Sequence, residues 1–122
     1  IMIATAAGNL KNVEMGVRPG CACCLVLASG GYPGGYEKGK AISGLDENGQ
    51  LAGAQVYHAG TAPGEDGGFV TAGGRVLGVT AVGDTLAQAV AASYEAAKPI
   101  QFDHMHYRTD IGRDGACACR NA

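Results

Sequence analysis

Arg75 is the side chain whose position most clearly suits it to bind a ligand, because it follows two glycines and precedes an apolar run at residues 76–79. A guanidinium presents a planar fork of N–H donors that matches the oxygens of a phosphate. At the mouth of a buried strand, beside flexible backbone, it suits phosphate recognition. A solvated arginine in an ordinary turn is the alternative, and residue types alone leave both open.

Residues 29–36 form a second candidate, a loop that reads SGGYPGGY. Four glycines and a proline in eight residues allow backbone angles that other residues resist. The N–H groups of such a loop can form an anion-binding nest. A purely structural turn is the alternative, since the segment is not G-x-G-x-x-G and does not open a helix.

Metal binding is the third chemistry to consider. The clusters Cys21, Cys23, Cys24 and Cys117, Cys119 depart from the C-x₂-C spacing of zinc sites, and an odd count argues against a disulfide framework. We interpret the first cluster as small buried hydrophobes in a strand.

His104 and His106 are predicted to lie on one side of a strand, beside Asp103. No third or fourth ligand is evident, so we predict a solvated surface pair and no metal site. The sequence also lacks a P-loop, G-x-S-x-G and H-E-x-x-H, and we predict no catalytic residue.

Composition narrows the class of protein. Hydrophobic residues make up 47% of the 122 residues and charged residues 16%, which excludes a disordered chain. The formal net charge of −2, with scattered Lys and Arg, argues against nucleic-acid binding. No apolar run approaches the roughly 20 residues of a membrane span, and the N-terminus does not resemble a signal peptide. We expect a cytoplasmic protein.

The elements that must position these residues are short strands and one long helix. A helix is predicted over residues 85–98, with Thr85 and Gln88 as a capping box and Pro99 as its stop. Asn48 and Gly49 are typical of a hairpin turn. Strands are predicted at 21–28 (buried on both faces), 40–44, 55–58, 69–71, 76–82 and 100–102, with a loop at 59–68. The predicted class is α+β: a small, barrel-like domain of mostly antiparallel strands with one long helix.

Several segments resemble phosphoribosylamine–glycine ligases, in that family's order and spacing. They are LASGGYPG at 27–34, YEKG at 36–39, VYHAGT at 56–61, VTAGGRVLGVTA at 70–81, GDTL at 83–86, HYR at 106–108 and DIG at 110–112. The resemblance covers residues 10–112 and is specific to the C-terminal domain of this ATP-grasp ligase, of the rudiment single hybrid type. Residues 1–9 then correspond to the end of a helix from the upstream ATP-grasp region.

The resemblance implies a function in purine biosynthesis. ATP phosphorylates the carboxylate of glycine, and the amine of 5-phosphoribosylamine attacks the acyl phosphate, which yields glycinamide ribonucleotide, ADP and phosphate. ATP and Mg²⁺ are expected to bind mainly to upstream domains, since the family's motif Arg-Phe-Gly-Asp-Pro-Glu is missing here. The chain alone is therefore expected to be inactive.

The resemblance also implies site residues. Arg75 is the expected contact to the ribose phosphate, with Gly74, Thr61 and His58 in the same pocket. The rim is expected to comprise Ser29, Gly30, Gly31, Tyr32 and Pro33.

Residues 113–122 depart from the family's usual ending and form an atypical tail. A stand-alone binding or assembly module of the same fold, without ligase activity, is the alternative function. A small Cys/His metal protein is a third.

Overall fold

The central feature is a three-stranded antiparallel sheet with one helix packed on it, in a computed structural model that describes residues 1–112. Within that range the chain forms two α-helices, a 3₁₀ turn at Leu10–Asn12 and six strands. The elements are α1 (Met2–Ala6), β1 (Cys21–Ala28), β2 (Ala41–Ile42), β3 (Gln55–His58), β4 (Thr61–Pro63), β5 (Phe69–Thr71), β6 (Arg75–Gly83) and α2 (Leu86–Ala97). All strand pairs are antiparallel, and the predicted α+β class is confirmed.

The larger sheet has the order β1–β6–β3, with β6 in the centre. Alternate residues of a strand point to opposite faces. The inner face carries Leu25, Val56 and Val79, each at most 2% exposed. Helix α2 covers this inner face and closes the core, to which Ile100 and Phe102 also contribute from beyond the helix.

Helix α2 begins where its sequence predicts. Thr85 accepts a hydrogen bond from the Gln88 N–H, and the Gln88 side chain accepts from the Thr85 N–H, so the capping box is present. Tyr94, on the same helix, donates its hydroxyl to the Arg108 carbonyl at 2.7 Å and accepts from the Ile111 N–H at 3.1 Å. One side chain therefore holds the segment that follows the core against α2.

Ser93 links α2 to the two long strands. Its fully buried hydroxyl donates to the Cys23 carbonyl on β1 at 2.7 Å and accepts from the Ala81 N–H on β6 at 3.2 Å. The Ala89 carbonyl lies 3.0 Å away, one turn earlier in the helix. The hydroxyl thus satisfies backbone groups of two strands at a position where no water reaches.

A smaller sheet has the order β2–β5–β4. Strand β4 lies inside the segment predicted as a loop at 59–68, so that prediction is wrong for Thr61–Pro63. The glycines and proline of this segment disfavour a strand by local preference, but the hydrogen bonds of its pairing with β5 stabilise one. Strand β2 is two residues long, shorter than the five predicted at 40–44.

The prediction that β1 is buried on both faces is wrong. Cys23, Leu25 and Leu27 are buried, whereas Cys24 and Val26 are exposed. Small apolar residues occupy both sides of this strand, so composition does not reveal that α2 covers one face only. Cys21 is half-buried, and Cys23 alone of the three fits the interpretation as a buried hydrophobe.

Two further sequence predictions need correction. Residues 48–49 form a turn in which the Asp46 carboxylate accepts from the Asn48 and Gln50 N–H groups, but the strands on either side pair elsewhere, so no hairpin forms. The predicted strand at 100–102 reduces to a single bridge between Ser43 and Gln101.

We expect Ser93→Ala to lower the free energy of unfolding by about 1–3 kcal/mol, because it leaves buried backbone groups unpaired. Denaturant unfolding of the chain measures the effect. Ser43→Ala is the matched control, since that exposed hydroxyl makes only a 3.3 Å hydrogen bond to Gln101 and should cost less than about 0.5 kcal/mol. Equal losses for the two variants would contradict the buried role of Ser93.

Candidate functional site

A concave surface lies beside the start of β6, an open groove of about 600 Å³. Its walls include Tyr32 from the glycine-rich loop and Tyr57 from β3. Its floor and rim comprise Ala59, Gly60, Gly74, Arg75 and Gly78, with Val26 and Leu77. Arg75 is the charged residue among those that line it.

The groove exists because backbone segments approach one another without intervening side chains. A Cβ atom on Gly60 would lie 2.6 Å from the Gly73 Cα and 2.7 Å from the Arg75 carbonyl oxygen. Hydrogen bonds from Gly60 N–H to Arg75 O and from Ala72 N–H to Gly60 O close the contact, at 2.8 and 2.7 Å. We call this contact of residues 59–61 with 72–75 the glycine junction; it fixes the backbone that carries Arg75.

Ser29 joins the glycine-rich loop to the glycine junction. Its hydroxyl donates to the Gly73 carbonyl at 2.9 Å, and its N–H donates to the Gly74 carbonyl at 2.8 Å. Three residues later, the ring of Tyr32 lies directly on Gly74, where a Cβ atom would stand only 2.1 Å from the ring Cδ2. The loop is thereby pinned so that one aromatic ring forms a groove wall.

Arg75 is exposed at the first position of β6, one residue earlier than the predicted strand start. Within residues 1–112 its guanidinium forms no ion pair and no hydrogen bond, whereas Lys40, Lys98 and Arg108 each pair with a carboxylate. A guanidinium in a concave, otherwise uncharged surface retains its capacity to bind an anion.

His58 and Thr61, predicted in the same pocket, bond to each other outside the groove lining. The His58 Nδ1 and the Thr61 hydroxyl are 2.9 Å apart, and the His58 Nε2 lies 2.9 Å from the Gly49 carbonyl oxygen. Because a carbonyl only accepts, Nε2 is the donor to Gly49. The ring also packs on Phe69 at 4.7 Å, so both ring nitrogens already have partners.

The five predicted rim residues divide into different roles. Tyr32 lines the groove, and Ser29 is buried beneath it. Gly30 packs on the backbone of His104, Gly31 adopts a φ of 93°, and Pro33 follows a cis peptide bond. Gly30 and Gly31 must be glycine for steric reasons, because a Cβ atom would meet neighbouring atoms at 2.7 Å and 2.1 Å respectively.

Tyr57 is the groove residue that sequence reasoning missed. Its ring stands on the outer face of β3, opposite Gly78 of β6, while its neighbour Val56 points into the core. Strand alternation outward from an apolar core position is the signal that identifies it. The resemblance pointed instead to His58, which alternation places on the opposite face.

An ion-pair cluster holds the far end of the glycine-rich loop. Lys40 pairs with Glu37 at 2.6 Å and with Asp103 at 3.3 Å. The hydrogen bond from Lys40, followed by its charge, lowers the pKa of Glu37; bonding to Glu37 and then Asp103 raises the pKa of Lys40. The Lys40–Glu37 pair therefore persists at neutral pH and is lost as the pH falls through the lowered pKa of Glu37.

Among residues 1–112, no group of three or more His, Cys, Asp or Glu side chains could hold a metal ion. The predicted arrangement of His104 and His106 on one strand is wrong, because His104 has a φ of 57° in a turn and His106 forms one bridge to Ala28. Cys117 and Cys119 lie outside the described residues. No helix of this range has the length and apolar character to cross a bilayer.

A solved structure shares the fold. The crystal structure of phosphoribosylamine–glycine ligase from Thermotoga maritima matches 89% of this chain with a TM-score of 0.70 and 35% identity, and the match spans 27% of that chain. The two sheets and the covering helix thus define a class, a small α+β domain that makes up about a quarter of the Thermotoga ligase chain.

Family and sequence comparisons specify the class further. The model of the family "Phosphoribosylglycinamide synthetase, C domain" matches residues 22–114, and the chain belongs to this family. Phosphoribosylamine–glycine ligases of Synechocystis and Caldanaerobacter subterraneus are 45% and 44% identical over 92% and 91% of the chain. The chloroplastic ligase of Arabidopsis thaliana is 42% identical over 92% of it. The chain spans about a quarter of the length of the first two relatives, at 26% of each.

We expect Gly60→Ala to lower the free energy of unfolding by about 1–3 kcal/mol, since the new methyl group meets backbone atoms that have no room to yield. Gly35→Ala serves as the matched control: nothing lies within 4 Å of its Cβ position, and it should change stability by less than about 0.5 kcal/mol. Thermal or denaturant unfolding of both variants provides the measurement. A neutral Gly60→Ala would show that the junction tolerates a side chain.

Proposed function

We propose that this chain is the C-terminal substrate-binding domain of a phosphoribosylamine–glycine ligase, and that its groove receives the phosphate of 5-phosphoribosylamine at Arg75. The observation that carries the proposal is a guanidinium without a carboxylate partner among residues 1–112, in an otherwise uncharged groove. Arginine donates two parallel hydrogen bonds to a phosphate, which supplies both affinity and orientation. Membership of the C-domain family supports this reaction over other uses of the fold.

The chemistry itself is assigned to the remainder of the enzyme. The reaction joins glycine to 5-phosphoribosylamine with ATP as the energy source and yields glycinamide ribonucleotide, ADP and phosphate. Residues 1–112 present no group of three or more His, Cys, Asp or Glu side chains as a metal site. On the resemblance to the family, we place Mg²⁺ and ATP mainly in domains outside this chain, together with the glycine site.

We assign the residues in and around the groove different roles in substrate binding. Gly74 leaves room for the Tyr32 ring, which occupies the space that a Cβ atom would take. Tyr57 and Tyr32 are positioned to pack on the sugar. We assign His58 and Thr61 a supporting role, since their mutual hydrogen bond and the His58–Gly49 bond fix the corner formed by Ala59 and Gly60.

Domain boundaries follow from the same proposal. Residues 10–112 form the domain, and α1 lies within residues 1–9, which we propose are the end of a helix from the upstream ATP-grasp region. In line with this, α1 buries none of its residues against the described part of the chain. Residues 113–122 are the segment where the sequence departs from the family's ending, and they lie outside the described residues.

The test is Arg75→Ala in a complete ligase, obtained by placing this chain in the matching C-terminal portion of the Synechocystis enzyme. Loss of a charge-assisted hydrogen bond of about 1.5–3 kcal/mol should raise the KM for 5-phosphoribosylamine roughly 10- to 150-fold. The kcat should change little, because the contact is made equally in substrate and transition state. Steady-state kinetics with varied 5-phosphoribosylamine gives both constants.

Arg18→Ala is the matched control, since Arg18 is also exposed but lies outside the groove lining. It should leave both constants unchanged, and Arg75→Lys should fall between Ala and wild type, because lysine keeps the charge but loses the fork of donors. An unchanged KM for Arg75→Ala would refute the phosphate role.

The 122-residue chain by itself should show no ligation, because the groups that would activate glycine are assigned to other domains. Product formation with ATP, glycine and 5-phosphoribosylamine is the measurement, with the complete Synechocystis ligase as the positive control. Turnover by the isolated chain that survives repurification would overturn the division of labour between domains.

A further inference from the structure

The glycine-rich loop runs from residue 29 to residue 40, and both of its ends are tied to the segment that leads into Arg75. At the first end, the backbone N–H of residue 29 donates to the Gly74 carbonyl at 2.8 Å. At the other end, the Lys40 N–H donates to the Thr71 hydroxyl at 3.0 Å, and the Thr71 N–H donates to the Lys40 carbonyl at 2.8 Å. Thr71 is only 1% exposed, so water does not compete for this second attachment. Both ends are fixed, and further contacts must set the position of the middle of the loop.

The side chain of Lys40 joins the loop to a separate segment of the chain. Its Nζ lies 2.6 Å from the carboxylate of Glu37, inside the loop, and 3.3 Å from the carboxylate of Asp103, in the turn that follows the core. One cation between two carboxylates forms a network, and networks stabilise where isolated surface pairs contribute little. The same two carboxylates already neutralise the ammonium, so Lys40 is poorly suited to bind an anion itself.

The turn that contains Asp103 also supports the start of the loop. Gly30 packs so closely on His104 that a Cβ atom at position 30 would lie 2.7 Å from both the His104 Cβ and its carbonyl oxygen. His104 has a φ of 57°, which a residue other than glycine adopts only where its surroundings hold it. The turn therefore contacts the loop before Tyr32, through Gly30, and after Tyr32, through the Lys40 network.

Tyr32 is the loop residue that these contacts position. Its ring lies on Gly74, lines the groove and meets the Tyr36 ring edge-on, with 6.2 Å between the ring centroids. Tyr36 directly precedes Glu37, so the ion pair of Glu37 restricts the backbone that carries Tyr36. Through the contact of the two rings, this restriction reaches the wall of the groove.

We infer that Lys40 is a positioning residue for substrate binding, although it does not line the groove. By joining Glu37 to Asp103, its ammonium holds the loop where the Tyr32 ring forms the groove wall beside Arg75. This inference rests on the proposed function, in which 5-phosphoribosylamine binds in that groove. Loss of the ammonium should loosen the wall and weaken substrate binding without removing the phosphate contact.

Lys40→Met removes the ammonium and keeps a side chain of similar length. In the Synechocystis ligase that carries this chain, it should raise the KM for 5-phosphoribosylamine roughly three- to fivefold and leave kcat unchanged, because only ground-state binding is affected. Lys40→Arg keeps a cation between the two carboxylates and should stay within about twofold of wild type. Lys38→Met is the matched control: Lys38 is exposed, has no ion pair among residues 1–112, and should leave both constants unchanged.

A double-mutant cycle with Tyr32 separates positioning from a general structural effect. If Lys40 acts through the Tyr32 ring, Lys40→Met should add less than about twofold to the KM once Tyr32→Ala has removed that ring. A rise of the same size with and without the ring would overturn the inference. So would an unchanged KM for Lys40→Met in a ligase that retains Tyr32, with the Caldanaerobacter enzyme as a second host.

Amide hydrogen exchange in the 122-residue chain tests the positioning without substrate. The Tyr32 N–H donates to the Ser29 carbonyl at 3.1 Å within the loop. Lys40→Met should speed exchange of this N–H roughly threefold or more, since local opening becomes easier. The Ala81 N–H, bonded to the buried Ser93 hydroxyl, should exchange at an unchanged rate. Unchanged exchange at Tyr32 would contradict the inference.

The two roles can fail separately. A raised KM for Arg75→Ala with an unchanged KM for Lys40→Met would sustain the phosphate contact and refute the positioning role. An unchanged KM for Arg75→Ala, with a rise for Lys40→Met that depends on Tyr32, would do the reverse.

Discussion

The whole site depends on the contact between two backbones that have no side chains between them. Gly60 and Gly73 meet at the glycine junction, and Gly74 extends it to the ring of Tyr32. Hydrogen bonds from both segments lock the contact, and the Ser29 hydroxyl adds the glycine-rich loop to it. Three stretches distant in sequence thereby converge on Arg75. Its backbone is held by these contacts, whereas its guanidinium has no direct partner within the described residues.

The two faces of the sheet β1–β6–β3 have different roles, because one forms the core and the other borders the groove. The inner face of β1–β6–β3 is covered by α2, whose Ser93 hydroxyl satisfies both long strands. That packing buries the inner face of the sheet and leaves the opposite face exposed. A groove whose backbone is held by hydrogen bonds can keep its shape before any ligand arrives, which lowers the entropic cost of binding.

Sequence patterns predicted the elements whose signals are local. The capping box at Thr85 and Gln88 fixed the start of α2, and the apolar run fixed β1 at Cys21–Ala28. The wrong predictions concern features that depend on tertiary pairing. They are the missed strand β4, which contains a proline and lies among glycines, the hairpin expected around Asn48, and the expected burial of both faces of β1. In the candidate site, the glycines and Arg75 were visible in the sequence. Tyr57, and the placement of His58 on the opposite face of β3 away from the groove, required the register of β3 on β6.

The Tyr94 hydroxyl determines where the described segment ends. By bonding to Arg108 and Ile111 it holds the end of the described segment on α2, and Gly112 lies beside Val90 of the same helix. Helix α2 and the exposed face lie on opposite sides of the sheet. A fluorescent protein or affinity tag attached after residue 112 would start from the helix layer, and so would leave both the groove and the opposite surface accessible for measurement.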